Sequence, residues 1–414
     1  MIKIIPLMTL VLAISISVMA APKHESSFEL MQAIPQHTEQ IFYQPGIHST
    51  AKVWLNMINQ AQHTLDIGTF YIANKPGEAL EPIIAAIKSA AHRGVKVRIL
   101  TDSMHIGGSS DPQKLFASEP NIQVRKIDFA KVSGGVMHAK YMVVDQRNVS
   151  LNSANWSWIS LTQIHNLGVR VLSPELAKTI LGIFNLDWRL AKHNNSAQDH
   201  ALLNQHQSSK VTELRPIKIK TANETLLIHP AFSPVGLLSQ GVDSEISQML
   251  GAINQAQHSL KMQVMTFSGF KKYGYVGYWS ELQDAIANAA MRGVKVQIIV
   301  SDWNNKHPDI NFMKMLSLIP GVRVKISTIP ALEDRYIPYS RVEHEKYFVV
   351  DNDLSYLTTS NWEWGYFYNS RNIALLINGK QPARALNRLF DADWNGPYTQ
   401  PIKLNHDYRV PKHN

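Results

Sequence analysis

The chain repeats itself across two halves, and that constrains its fold more than any other feature. Ile58-Asn-Gln-Ala-Gln-His63 returns as Ile253-Asn-Gln-Ala-Gln-His258, and Arg93-Gly-Val-Lys-Val97 returns as Arg292-Gly-Val-Lys-Val296. His138-Ala-Lys-Tyr-Met-Val-Val-Asp145 returns as His344-Glu-Lys-Tyr-Phe-Val-Val-Asp351, a shift of 206 positions. The same shift carries Asn155-Trp156 onto Asn361-Trp362, Asn166 onto Asn372, and Phe184, Asp187 and Trp188 onto Phe390, Asp393 and Trp394. Solenoid repeats run about 20 to 50 residues, so this period marks a duplicated domain. The expected layout is a first lobe over 41–192, a linker over 193–225, a second lobe over 226–396 and a tail over 397–414.

Each lobe alternates helical and strand patterns. Ile83, Ile84, Ile87 and Ala91 share a helical face that ends at Gly94, and the strand Val95-Lys-Val-Arg-Ile-Leu100 follows. Leu282, Ala285, Ile286 and Ala289, then Gly293 and Val294-Lys-Val-Gln-Ile-Ile299, repeat the design. The expected fold is α/β: two similar α/β/α sandwich lobes packed as a pseudo-dimer, each with a largely buried sheet. The repeated hexapeptide and the Phe-Asp-Trp helix ends read as capping and core packing. The linker is rich in Asn, Gln, His and Ser, and its histidines His193, His200 and His206, with the later His229, read as solvated loop residues.

Upstream, Lys3 precedes an apolar run to Val18 and the small residues Ala20 and Ala21, the pattern of a signal peptide over 1–21. A periplasmic, secreted or lumenal location is expected. The absence of cysteine excludes a disulfide scaffold, a thiolate nucleophile and Cys-ligated zinc. Lys and Arg number 41 against 32 Asp and Glu, a net charge of +9 that favours polyanions, whether nucleic acid or an acidic lipid surface.

The repeated His-x-Lys carries the chemistry. Read as a strand, Met137–Asp145 sends His138 and Lys140 to one face, placing a base or nucleophile beside a fixed positive charge. Downstream, Ser153 and Asn155 add a hydroxyl and an amide; the second lobe supplies His344, Lys346, Thr359 and Asn361 in the same order. If the lobes meet about a twofold axis, one cleft collects both sets. Phosphodiester hydrolysis needs a nucleophile, a proton donor for the leaving alkoxide and cations around the transition state. One histidine forms a phosphohistidine while the other protonates the leaving group. Asp145 and Asp351 read as turn-fixing residues. No His-Glu-x-x-His and no acidic cluster of the two-metal kind appears, so neither metal nor cofactor is expected, and activity should resist chelators.

At these residues the sequence resembles the phospholipase D superfamily, whose hallmark is a twice-occurring His-x-Lys-x4-Asp followed by Gly-Ser-x-Asn. The resemblance covers essentially the whole mature chain. Ser160-Leu-Thr-Gln163, Leu167-Gly-Val169 and Ile337-Pro-Tyr-Ser-Arg-Val342 make it similar to the animal phospholipase D three and four branch, lumenal 5′-exonucleases on single strands to which lipid transphosphatidylation is also attributed. The resemblance implies one active site shared by two lobes, with His138 as nucleophile, His344 as general acid, and Lys140, Lys346, Asn155 and Asn361 on phosphate. Ser153 and Thr359 match its small-hydroxyl position. Two departures stand out: Asn152 and Thr358 replace the usual Gly, and Asn166 stands where Glu is frequent. Placed against His138, Asn166 would stabilise an imidazolium less than Glu does and extend activity to more acidic pH.

Aromatic residues crowd the motifs: Trp156, Trp158, Trp303, Trp362, Trp364, Tyr366, Phe367 and Tyr368, with Tyr273, Tyr275, Tyr278 and Trp279 upstream. Such rings suit base stacking, a lipid-facing rim or a core. The leading expectation is a nuclease on single-stranded DNA or RNA. A phospholipase D or phosphatidyl transferase acting on anionic phospholipid is the alternative, and intact His and Lys pairs argue against a binding protein without turnover. One chain supplies both halves of the site, so no obligate protein partner is implied.

Overall fold

The computed structural model describes residues 28–104, 106–193, 211–239, 241–272 and 274–409. The expected signal peptide, linker residues 194–210 with His200 and His206, and Tyr273 lie outside them. Among the described residues no helix is long and apolar enough to cross a membrane.

The first half contains β1 (Phe28–Ala33), β2 (Ile47–Ser49), β3 (Thr64–Thr69), β4 (Ile72–Ala73), β5 (Lys96–Asp102), β6 (Ile122–Ile127), β7 (Tyr141–Val144), β8 (Asn148–Asn152), β9 (Trp156–Ser157) and β10 (Ile164–Leu172). The second contains β11 (Ile217–Lys220), β12 (Thr225–Ser233), β13 (Ser259–Val264), β14 (Lys295–Ser301), β15 (Val322–Ser327), β16 (Val342–Glu343), β17 (Lys346–Val350), β18 (Leu354–Thr358), β19 (Asn372–Asn378) and β20 (Thr399–Pro401). The main sheets run β2-β1-β10-β8-β7-β3-β5-β6 and β11-β12-β19-β18-β17-β13-β14-β15-β20. Helix-strand units make the parallel runs β3-β5-β6 and β13-β14-β15, and hairpins make the antiparallel middle.

Three boundaries move outward from the sequence expectation. β1 lies before residue 41 yet pairs with β10; β11 falls within the expected linker yet pairs with β12; and β20, in the expected tail, pairs with β15. These strands have no counterpart word in the repeat, so periodicity could not mark them. His229 is also not a loop residue: it is buried in β12 and hydrogen-bonds Gln248 Oε1 at 3.1 Å.

Helices Glu81–His92 and Glu281–Met291 bury the apolar faces read from the sequence, and each closes through a left-handed glycine, Gly94 at φ 97° and Gly293 at φ 93°. The other repeated words form one construction. Asp145 accepts from the backbone N–H of Gln62, His63 and Thr64 at 2.7–3.3 Å, and Asp351 from those of Gln257, His258 and Ser259 at 2.6–2.8 Å. Arg93 and Arg292 each hold three carbonyls of the matching hexapeptide. The hexapeptide is therefore a docking turn for the motif aspartate.

Each lobe has an outer apolar core, and a third core belongs to both. Phe184 and Trp188 of helix Pro174–His193 and Phe390 and Trp394 of helix Lys380–Asn395 pack there with strands from both sheets. A shared dry core fixes the two lobes at one mutual orientation.

Candidate active site

The sheets touch where one lobe crosses onto the other. β16 pairs in parallel with the start of β10, His165 opposite Glu343, and a parallel bridge between Met137 and Arg371 is its symmetry mate. Through these crossings the backbone N–H of His344 donates to the His165 carbonyl at 2.9 Å, and that of His138 to the Arg371 carbonyl at 3.0 Å. Each motif histidine is fastened to the opposite lobe.

The side chains cross as well. His138 Nδ1 donates to Asn372 Oδ1 at 3.0 Å, and His344 Nδ1 donates to Asn166 Oδ1 at 2.7 Å. This corrects the expectation that Asn166 serves His138; the amide faces away from its own lobe because β10 leads across the interface. Carbonyls fix each amide's orientation: Asn166 Nδ2 donates to Ser160 O at 2.9 Å, and Asn372 Nδ2 to Tyr366 O at 3.0 Å. With Nδ1 committed as donor, each neutral imidazole carries its lone pair on Nε2.

Ser153 and Thr359 do not stand free for a phosphate. Each donates its hydroxyl proton to one of these amide oxygens, Asn166 and Asn372 respectively, at 2.9 Å, and accepts from the N–H of Leu167 or Ile373. They hold the partners of the histidines. Asn152, in place of the usual Gly, turns to Thr50 and the Ala154 N–H. Thr358 turns to Glu245 and the Ser360 N–H. Both are occupied within the lobe.

Strand β7 begins only after Lys140 and β17 begins at Lys346, so the histidines precede the ladder instead of lying in it. Lys140 Nζ donates to the His138 carbonyl at 2.6 Å, and Lys346 Nζ to the His344 carbonyl at 2.7 Å. Burial, then the charges of Lys140 and Lys346, push both histidines well below the ordinary imidazole range. Burial also lowers both lysines, and the charge of Lys346 adds to the effect on Lys140. Four crowded basic groups in a dry place form a trap for an anion.

The trap opens into a cavity of about 480 Å³ onto which His138, His344, Asn155 and Asn361 face. Its walls are mostly apolar and include Phe70, Tyr71, Ile106, Trp158, Trp303 and Tyr366. Tyr366 meets His138 edge-on at 4.8 Å. Asn155 and Asn361 each have a buried amide oxygen without a hydrogen-bond partner among the described residues. Of the other aromatics, Trp156, Trp279, Trp362 and Phe367 are core residues, while Trp364 stacks on Tyr368 beside Tyr275. A wider hollow of about 1120 Å³ along Lys96, Asn121 and Lys178 contains none of the motif residues.

Sequence reasoning paired Asn372 with Asn166 but gave it no role, and it missed Phe70 as a wall. It also missed the buried polar residues behind each crossing. Asp187 pairs bidentately with Arg371 at 2.8 Å, both fully buried, so the repeated aspartate of the Phe-Asp-Trp word is an inter-lobe anchor and not a helix cap. At the related position Asp393 lies with His165, Glu343 and Glu345, all buried.

Two imidazoles and two carboxamides facing one cavity, with two ammoniums buried beside the imidazoles and each lobe contributing one of each, fit a two-histidine phosphodiesterase. The comparisons with known proteins agree with that class. Residues 54–188 and 249–394 match the family described as cardiolipin synthase, PLD-like domain. The 5'-3' exonuclease PLD3 of Rattus norvegicus is 30% identical over 401 residues, covering 91% of this chain and 81% of the relative. Phospholipase D Z of Dictyostelium discoideum is 29% identical over 370 residues, 86% of each chain. Phosphatidylserine synthase from Haemophilus influenzae Rd KW20 shares the fold, with a TM-score of 0.61 at 17% identity over 85% of each chain. The chain belongs to the phospholipase D superfamily.

Proposed function

We propose that this enzyme is an exported nuclease that hydrolyses single-stranded DNA or RNA through a phosphohistidine, with no metal ion at the reacting phosphorus. The observation that carries the reading is the crossing of the two histidines, each backed by a lysine, onto one cavity. His138 Nε2 attacks phosphorus as the bond to the leaving oxygen breaks, and His344 gives its proton to that oxygen. Water then attacks phosphorus, its proton passes to His344, and the bond to His138 is released. Lys140, Lys346, Asn155 and Asn361 stabilise the nonbridging oxygens. An arriving phosphate offsets the two ammoniums, which raises the pKa of His344 and lets it carry the proton it must donate.

Nucleic acid is favoured over lipid by three features. The net charge is +9; Trp158, Trp303 and Tyr366 line the cavity as rings on which bases can stack; and the PLD3 relatives are named 5'-3' exonucleases. The signal-peptide pattern over 1–21 supports export, and both halves of the site in one chain make a monomer sufficient.

The test uses residues 22–414 in EDTA with end-labelled single-stranded DNA and, separately, phosphatidylcholine vesicles, with His138→Asn as control. Loss of the 5′ label first, abolished in the variant, is the expected result. Choline release without DNA loss would move the enzyme to the lipid class.

A further inference from the structure

We infer that this chain has a buried divalent-cation site made of His165, Glu343, Glu345 and Asp393, placed behind the active site at one of the two crossings between the lobes. One donor atom from each of the four lies within 4.8 Å of the other three, and all four side chains are at most 2% exposed. Among the described residues Glu343 Oε1, Glu345 Oε2 and Asp393 Oδ1 have no hydrogen-bond partner despite their burial, and His165 Nε2 and Glu345 Oε1 have only each other, at 3.3 Å. Unpartnered donors turned toward one another in a dry place are costly unless something positive lies among them.

The pseudo-symmetry supplies an internal control. The positions related to 165, 343, 345 and 393 hold Arg371, Met137, Ala139 and Asp187, and there the only carboxylate is satisfied by a bidentate guanidinium. With Lys140 included, that set has one positive charge in excess. The set around Asp393 has three carboxylates. A protonated His165 and Lys346 together still leave one negative charge in excess, whereas a divalent ion with a neutral imidazole and Lys346 brings the sum to zero. Burying an uncompensated carboxylate costs several kcal/mol.

The donor chemistry selects the ion. One imidazole nitrogen among carboxylate oxygens suits Zn²⁺ or Mn²⁺ better than the all-oxygen cations Ca²⁺ and Mg²⁺. Tetrahedral donors at about 2.0–2.2 Å from zinc stand roughly 3.3–3.6 Å apart, so binding would draw the four inward by about an ångström. His165 Nδ1 already contacts Glu343 Oε2 at 3.0 Å, while Nε2 lies 3.3 Å from Glu345 Oε1. Whichever nitrogen takes the ion, the other can donate to the adjacent carboxylate and fix the ring. Phe42 stacks on that ring at 4.1 Å and seals it from solvent. None of the four lines the reaction cavity, so the ion's work is to clamp β10 of one lobe to the segment carrying His344 in the other.

The experiment measures metal by elemental analysis on the intact chain and follows thermal unfolding after chelator stripping and return of Zn²⁺ or Mn²⁺. One ion per chain is expected, with Tm raised by about 3 °C at a hundredfold excess over Kd. The variant H165R/E343M/E345A copies the other half of the molecule and is expected to hold no ion and show no Tm response. Should it fail to fold, the isosteric E345Q is expected to weaken Zn²⁺ binding at least about tenfold. A wild-type chain that takes up neither ion and keeps its Tm would overturn the site, leaving protons to neutralise the cluster. Binding of Ca²⁺ or Mg²⁺ in preference to Zn²⁺ and Mn²⁺, or unchanged binding by E345Q, would overturn it equally.

Discussion

At the two crossings between lobes, related backbone positions carry opposite electrostatics. Behind His138 an arginine and an aspartate close a neutral, bidentate pair with Met137 and Ala139 as apolar neighbours. Behind His344 a histidine meets three carboxylates. The groups proposed to react stay matched: histidine, lysine, asparagine and the amide across the interface occur once per lobe. Duplication thus preserved the chemistry and let the supports diverge, because a support need only hold its histidine at the right place.

Removing the reacting groups is the most severe way to break the comparison. His138→Asn is expected to lower kcat by at least about 10⁴-fold. His344→Asn should cost about 10²–10⁴-fold and leave a trapped phosphohistidine, visible by intact mass. If His138→Asn instead traps an adduct on His344, the roles are reversed. Next comes the buried pair. Asp187→Asn leaves the Arg371 charge alone and is expected to cost about 3–5 kcal/mol in urea unfolding, whereas Asp393→Asn relieves one of three crowded carboxylates and should cost under about 1 kcal/mol in metal-free protein. Equal losses would refute the asymmetry of the supports.

A smaller effect concerns pH. Burial and the lysine charges keep His138 neutral into mildly acidic solution, so the acidic limb of the rate profile should fall below about pH 6.5. Asn372→Asp puts a carboxylate beside this ring, favours the imidazolium and should move that limb upward by about one unit or more. An unmoved limb would remove His138 from the role of nucleophile. The smallest expected difference is at the turns. Asp145→Ala and Asp351→Ala each release three backbone N–H groups, and each should cost about 1–2 kcal/mol, matched within error.

The repeated words made much of the fold legible. Gly94 and Gly293, the helical faces before them and the strands after them are local patterns with local causes. β1, β11 and β20 escaped because each joins a sheet through partners far along the chain and has no counterpart word. At the site, the histidines, lysines and Asn155 and Asn361 were readable from the motif. The service of Ser153 and Thr359 to the amides that hold the opposite lobe's histidines was not, since spacing gives a residue's face but not the partner it meets. A signal for the asymmetry did exist: Met137-His-Ala139 became Glu343-His-Glu345.

The sequence alone determined that there are two lobes, that each brings one His-x-Lys, and that no thiol takes part, because repeats and composition are properties of the chain itself. Only the tertiary structure decided that Asn166 serves His344 and Asn372 serves His138. It alone gathered His165 from one lobe and Glu343, Glu345 and Asp393 from the other, with His165 and Glu343 178 positions apart. The physical reason is the parallel pairing of β10 with β16 across the shared core, a contact between lobes that no local pattern encodes.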